Sequence, residues 1–543
     1  MVRVHYSSQL IQLYVIHYGH QRLVSPILGK TVVAELDAMD SSLNLGGDGD
    51  KRSNTAIEME ECEELSQDSS VMNNSQSVLE KIANLYAEQL MSDIILVVGN
   101  EQYPAHRVIL CASSEVFQVM LMNPEWNECR KHVIELVEEP CCTAVFPQFL
   151  KYLYVGQIKI SLQTVMPMLA LADKYNVKDL VELCVDYMMK HIAKAATQGY
   201  LVSWLQYTIA FSPYHTELTE TLKRFLKWNL EMVSESKDFV ELDTSIMVLL
   251  LQQNDIVVTS EYQLFGILQR WLLHRKEAYD IDDSLTVEEK NTSFIQLVEQ
   301  TVDHIRFAMM TPRELAHLLL FPLLEFHKQY IVQRMAIGMS YQSGQDDRVR
   351  EVRYSSDGKL QFTPRLYSND TWSVSVHVKE FDQIEKYTNY VTCFFSQRSI
   401  AETEDDHTIT WEIEFFPRGV KYNKAKIIWG EDVPEFALKT VRLRVTCKYP
   451  QLDEERFKVA VLITGVQNKI DHILTVHERT EYFSNKVRVL NMDNLIPYDE
   501  LALSSIKLSP HLIGAERNNL SIQVIIAPMG PYTCRDAPQF DFK

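Results

Sequence analysis

The stretch Asp93–Arg107 reads DIILVVGNEQYPAHR, and its first half is the most decisive run in the chain. Ile94-Ile-Leu-Val-Val98 is apolar and mostly β-branched, the composition of a short buried strand. Gly99-Asn100 then supplies a turn, and Gln102-Tyr103-Pro104 predicts a brief return strand. Past His106 the apolar period becomes helical. Helices are predicted over Arg107–Leu121, Pro140–Tyr154, Leu162–Tyr175 and Val177–Ala195, with a strand at Val133–Leu136. Upstream, Val78, Ile82, Leu85 and Leu90 also recur at helical spacing, with Glu80, Lys81 and Glu88 opposite. Residues 75–195 therefore read as one small mixed α/β domain.

Two further regions follow. Residues 196–339 are almost entirely helical in pattern, with apolar stripes at Leu222, Phe225, Leu226 and Leu230, and at Ile246–Leu251 and Leu264–Leu272. Within them Thr311-Pro-Arg-Glu314 predicts a capped helix start, with Thr311 at N-cap, Pro312 at N1 and Glu314 near N3. Residues 340–352 hold a Ser/Gly/Gln/Asp linker. Beyond it, Trp372–Val378, Thr408–Phe416, Val441–Thr446 and Phe457–Ile463 alternate with period two. That pattern predicts antiparallel strands, and residues 353–543 read as a β-sandwich.

Asp93–Tyr187 resembles a BTB/POZ domain, carried by Asp93–Val98, Tyr103–Arg107, Ala112-Ser113-Ser114, Phe117, Phe149–Gly156 and Leu169–Val177. The helical region resembles a BACK domain through Asn254–Val258, Ser260-Glu261, Leu264-Phe265, Trp271 and Ile305-Arg306-Phe307. Trp411–Gly419, WEIEFFPRG, is similar to the strand-and-turn phrase of a MATH or TRAF-like domain. That order of domains is similar to BTB/POZ proteins related to galectin-3-binding protein. The fold class is thus multidomain: an α/β BTB/POZ domain, an all-α BACK domain and a C-terminal antiparallel TRAF-like sandwich. No fixed-period repeat is present, so a kelch propeller is not encoded.

Residues 1–74 stand apart. Glu35–Asp68 holds eleven acidic residues against Lys51 and Arg52, so −9 of the chain's −20 lies there. Rich in serine and poor in large apolar residues, this tail is expected to be disordered. Net acidity gives no support for nucleic-acid binding or for docking on an anionic membrane. Leu10–Ile16 is a weak signal-peptide core, interrupted by Gln12 and flanked by His17 and His20, with no small-x-small cleavage site. The nine cysteines form no C-x-x-C pair, so reduced thiols and a cytoplasmic location are expected. A secreted, oligomeric matrix or scavenger protein is the alternative, as the galectin-3-binding relationship implies.

No catalytic constellation is legible: there is no Gly-rich phosphate loop, G-x-S-x-G elbow or H-E-x-x-H, and no metal or cofactor is expected. The BTB resemblance makes His106 structural, at a strand-to-helix junction. Cys111 reads as a buried, inert thiol, and Cys141-Cys142 at a helix start as a place where a lowered thiol pKa is conceivable. The function is expected to rest on surfaces. The resemblance implies a homodimer, with Val78, Ile82, Leu85, Tyr86, Leu90 and Asp93 in its interface. It also implies docking to cullin-3 through Met120-Leu121 and the hydrophobic-x-glutamate pair Trp126 and Glu128, with Leu121 standing where the family usually has Phe. The BACK domain would extend that contact and space the sandwich away from the BTB dimer. The sandwich would take an unknown protein substrate, and Arg442-Leu-Arg444 reads as a solvated strand face. A transcriptional regulator would need zinc fingers or a basic region, which the sequence lacks.

Overall fold

The computed structural model describes residues 74–529 apart from 212–213, 282–285, 346–348, 350, 353–357, 398–407, 422–437, 450–453 and 502–508. The acidic tail, the signal-like run, Cys62 and Cys534 lie outside the described residues. Two units are present, one ending at Leu90 and one starting at Met91. Helix α1 (Ser75–Glu88) belongs to the first and stops where Gln89 turns left-handed at φ 52°.

The second unit opens on the α/β domain. β1 (Ile94–Val98) is the middle strand of three, with β2 (Glu101–Ala105) antiparallel and β3 (Val133–Leu136) parallel to it. Ile94, Leu96 and Val98 point into the core, as the β-branched run requires. The predicted helix over Arg107–Leu121 is instead two, α2 (Arg107–Ser113) and α3 (Glu115–Met122). Ser114 is extended between them; its Oγ accepts the Phe117 N–H at 3.1 Å and donates to the Tyr175 carbonyl. Next come α4 (Pro140–Val155), α5 (Val165–Lys174), α6 (Lys178–Lys190) and α7 (Ile192–Gln198). Phe117 stacks on Tyr175 with centroids 4.5 Å apart, closing the core.

Eight helices continue the chain: α8 (Leu201–Ala210), α9 (Thr216–Trp228), α10 (Leu230–Ser234), α11 (Thr244–Gln252), α12 (Glu261–Ile281), α13 (Val287–Val302), α14 (Pro312–Leu318) and α15 (Leu324–Gln342). The expected start at Thr311 is a full capping box, Thr311 Oγ1 accepting the Glu314 N–H and Glu314 accepting the Thr311 N–H at 2.8 Å. A short strand, β4 (Val257–Val258), interrupts the helical pattern. It pairs in parallel with β5 (Leu366–Tyr367), which leads into the sandwich. The segment read as a linker contributes Tyr341 and Val349 to a small apolar cluster with Ala308 and Phe362.

The sandwich has two sheets. One runs β11 (Ile470–Phe483), β10 (Glu455–Gln467), β14 (Asn519–Met529), β13 (Leu512–Ile513), with β6 (Ser373–Val378) also on β14. The other runs β12 (Val489–Met492), β9 (Arg442–Cys447), β8 (Thr408–Phe416), β7 (Tyr390–Gln397). Every pairing within the two sheets is antiparallel. Trp411 fills the centre, edge-on to Phe457 and Phe483 at 5.0 Å each, and its Nε1–H donates to Ser396 Oγ at 2.8 Å.

Along β10 the burial is nearly continuous, the signature of a strand covered on both faces. Phe457, Val459, Val461 and Ile463 enter the sandwich core, whereas Ala460 and Leu462 pack with Leu366 of β5 and with Val257 and Trp228 of the helical side. The sandwich therefore packs directly on the helical region, a contact the sequence reading did not include. A second departure concerns Arg442, which is buried and paired with Asp493 rather than solvated, while Arg444 pairs with Glu414 at 3.2 Å.

Candidate functional site

Arg107 organises the turn that follows α3. Its guanidinium donates to the carbonyls of Leu121, at 3.4 Å, and Lys131, and its backbone N–H donates to Asp93 Oδ1 at 2.8 Å. Between those carbonyls the chain runs Met122–Arg130 and closes in a single 3₁₀ turn, Asn127–Arg130. Trp126 precedes that turn in extended conformation, its N–H on the Asn123 carbonyl at 3.1 Å. Its indole is half-exposed, as is Glu128. The Glu128 carboxyl is held below the usual carboxylate range by its own backbone N–H and by Lys131 at 3.2 Å. An aromatic side chain and an ionised carboxylate thus sit two residues apart on a braced turn.

Of the four residues expected to meet cullin, three are accessible, Met120 among them. Leu121 is a correction. It is only 3% exposed and belongs to the core under α3, so it anchors the helix rather than offering an open contact surface. The reason is helical spacing: Phe117 and Leu121, four apart, share the inward stripe.

No side chain of α1 is buried. Val78 and Leu90 are exposed, and Ile82, Leu85 and Tyr86 are half-exposed. Asp93 is exposed and uses its carboxylate to hold the start of α2. Cys111, read from the sequence as a buried thiol, is half-exposed, and its neighbour on α2, Val108, is 71% exposed. Val119 and Met122 on α3 are likewise outside the core. Their apolar chemistry gave no sign of this, since only the break at Ser114 rotates the two helices relative to one pattern.

On the sandwich, the outer side of the sheet holding β10 is covered by the helical region. The other sheet keeps an outward face: Val391, Cys393 and Phe395 on β7, Thr410, Glu412 and Glu414 on β8, Thr446 on β9 and Val489 on β12. Phe395 is 61% exposed, and the glutamates pair with Lys448 and Arg444.

The groups weighed for chemistry are structural or muted. His106 is buried, its N–H donating to the Tyr154 hydroxyl oxygen at 2.9 Å and its Nδ1 2.8 Å from the same oxygen. The Cys142 thiol is pushed up, by Cys141 beside it and by burial, the reverse of the lowered value considered for a helix start. Burial likewise raises the Cys111 thiol.

Three family models match this chain in order: "BTB/POZ domain" over residues 82–192, "BTB And C-terminal Kelch" over 201–282, and "BTBD17 TRAF domain" over 362–530. Among curated proteins, BTB/POZ domain-containing protein 17 of Xenopus laevis is 25% identical over 430 residues, covering 76% of this chain and 85% of that protein. The Homo sapiens protein of the same name is 26% identical over 354 residues, 64% of this chain and 67% of its own length. Kelch-like protein 7 of Rattus norvegicus is 26% identical over 190 residues, 35% of this chain and 31% of that protein.

Proposed function

We propose, from the order in which BTB/POZ, BACK and TRAF-like models match it, that this chain is a non-catalytic, cytoplasmic adaptor that recruits a protein substrate to a cullin-3 RING ubiquitin ligase. The likeness to a Kelch-like protein across the first two domains supports the adaptor role. The observation that carries the cullin assignment is the braced turn: a half-exposed Trp126 beside an ionised Glu128. A tryptophan entering an apolar pocket with a carboxylate fixing its orientation is a hot-spot pairing.

The adaptor works as a homodimer in this reading. The apolar side chains of α1, none of them buried, supply the area a second copy would cover. Two sandwiches in one dimer raise avidity through effective concentration. Substrate meets the outward face of the β12-β9-β8-β7 sheet, because the other sheet is covered on both sides.

Capture of the full chain by cullin-3 tests the proposal. Trp126→Ala is expected to weaken binding by about 30-fold or more, the size of a hot-spot truncation. Glu128→Lys reverses the charge and is expected to abolish capture. Full-strength binding by both variants removes the site assignment, and no binding by the natural sequence overturns the adaptor reading.

A further inference from the structure

We infer that the helical region and the sandwich are one cooperative folding unit, keyed by Arg365, so that the β12-β9-β8-β7 sheet is held in a single orientation. This goes beyond the adaptor reading and does not depend on it.

Arg365 lies just before β5, on the sandwich side, and is fully buried. Its Nε donates to Glu261, at the start of α12, at 3.1 Å; its terminal nitrogens donate to the carbonyls of Leu251 at 2.8 Å, His304 at 2.9 Å and Gln253. Arg306, in the helical region, answers in the opposite direction. It donates to the Thr363 carbonyl at 2.6 Å, and also to Asn254 Oδ1 at 2.6 Å and the Gln253 carbonyl at 3.1 Å. Glu261 accepts in addition the Arg306 backbone N–H at 2.9 Å and the Tyr367 hydroxyl at 2.8 Å. Each arginine therefore completes the other body's buried polar groups. Unfolding either body alone would break these bonds at once and expose to water the apolar face that Ala460, Leu462, Val257 and Leu366 cover, a costly intermediate.

Independent contacts surround this cluster. Leu366 donates its N–H to the Ile256 carbonyl at 3.1 Å and Ser368 to that of Val258 at 2.9 Å, making the β4–β5 ribbon. Such a two-stranded ribbon has little stability by itself and persists because both bodies pack on it. Lys458, buried on the joint-facing side of β10, reaches Glu478 at 3.1 Å and the Pro364 carbonyl at 3.3 Å. Asn229 makes a two-way bond with Ile473, accepting its N–H at 2.7 Å and donating to its carbonyl at 3.0 Å. The β10–β11 turn reaches further: Gln467 accepts the Ala193 N–H at 2.8 Å and donates to the Met189 carbonyl at 2.9 Å, and Asn468 donates to that of Lys190 at 2.8 Å. Relative motion is the default for domains joined by small polar contacts, and this joint is apolar, hydrogen-bonded and charge-matched instead.

Hydrogen exchange by mass spectrometry on the full chain, across a denaturant series, tests this. Ile413→Val trims the core of the far sheet without touching the joint. It is expected to lower the exchange midpoints of peptides from β10 and β14 and of peptides from α11 and α12 by the same amount. In an Arg365→Met background the same trim is expected to move only the sandwich peptides. If Ile413→Val alone moves sandwich peptides and leaves the helical ones in place, the two bodies unfold separately and the inference fails. If the shift still passes between them after Arg365→Met, Arg365 is not the key. Should Arg365→Met fail to fold, the first comparison decides the coupling by itself.

Discussion

The turn at Trp126–Glu128 and the joint at Arg365 each set a carboxylate against a base, and the two pairs behave as opposites. Glu128 and Lys131 are 3.2 Å apart with both side chains substantially exposed. Glu261 and Arg365 are 3.1 Å apart with neither exposed at all. An exposed pair contributes about 0–1 kcal/mol and can be exchanged for a partner's groups with little loss. A buried pair gives up much of its attraction to desolvation, yet breaking it from one side costs about 3–5 kcal/mol. The same chemistry thus makes a replaceable contact in one region and a permanent one in the other.

The largest expected effect comes from breaking the permanent pair. Glu261→Gln leaves two buried guanidinium groups facing a neutral amide, with Tyr367 still donating to it. A loss of about 3–5 kcal/mol is expected, read as a drop in the denaturant midpoint of the full chain. A loss under about 1 kcal/mol, the size of an exposed pair, would erase the contrast between the two regions.

Next in size is a steric probe of the helical region beside that joint. Gly338 on α15 passes so close to the residue after Arg306 that an added Cβ would stand 2.6 Å from the Phe307 carbonyl oxygen. Backbone cannot step aside cheaply, so Gly338→Ala is expected to cost about 1–3 kcal/mol, although alanine normally favours a helix. A stabilised Gly338→Ala variant would show that the packing of α15 on Phe307 yields.

What the sequence disclosed divides along the same line. Local signals were legible: Ile94–Val98 and Thr408–Phe416 form strands over the residues expected, and the Thr311/Glu314 cap is present. Ser114 was legible in principle, since a serine followed by Glu115 is an N-cap pattern, but the apolar period on either side masked it. The order of the three domains was likewise legible. The joint was not. Glu261 and Arg365 lie 104 residues apart, and no periodicity links them. Lys458 looks like the solvent side of an alternating strand, and it is buried because a second body covers that side. Leu121 misled for a related reason: its chemistry suits a contact surface and a core equally, and only the placement of α3 decides.

Smaller again is the cap. Thr311 is exposed and Glu314 half-exposed, and their side chains bond each other and each other's backbone N–H. Thr311→Ala is expected to lower stability by about 1 kcal/mol without altering cullin-3 capture, as a surface feature remote from the turn should. A simultaneous loss of capture would mean that the helical region and the docking turn are linked more tightly than their contacts suggest.

The smallest effect is the most discriminating for the turn. Lys131→Ala removes an exposed partner of Glu128, and a stability change of no more than about 1 kcal/mol is expected. The pH dependence follows from the direction of the Glu128 shift. Its carboxyl is depressed in the folded chain, chiefly by its own backbone N–H and then by Lys131. Such a group contributes stability that is present above its unfolded pKa and lost as pH falls through the lower folded value. Glu128 therefore stays ionised throughout the range above about 4.3, the ordinary glutamate value. Capture of the natural sequence by cullin-3 should accordingly be flat from about pH 7.5 to about pH 5.5, as far as Glu128 governs it. A step near about pH 6.5 would instead point to a histidine. If Glu128→Gln left such a step in place, the orienting charge would have to be reassigned.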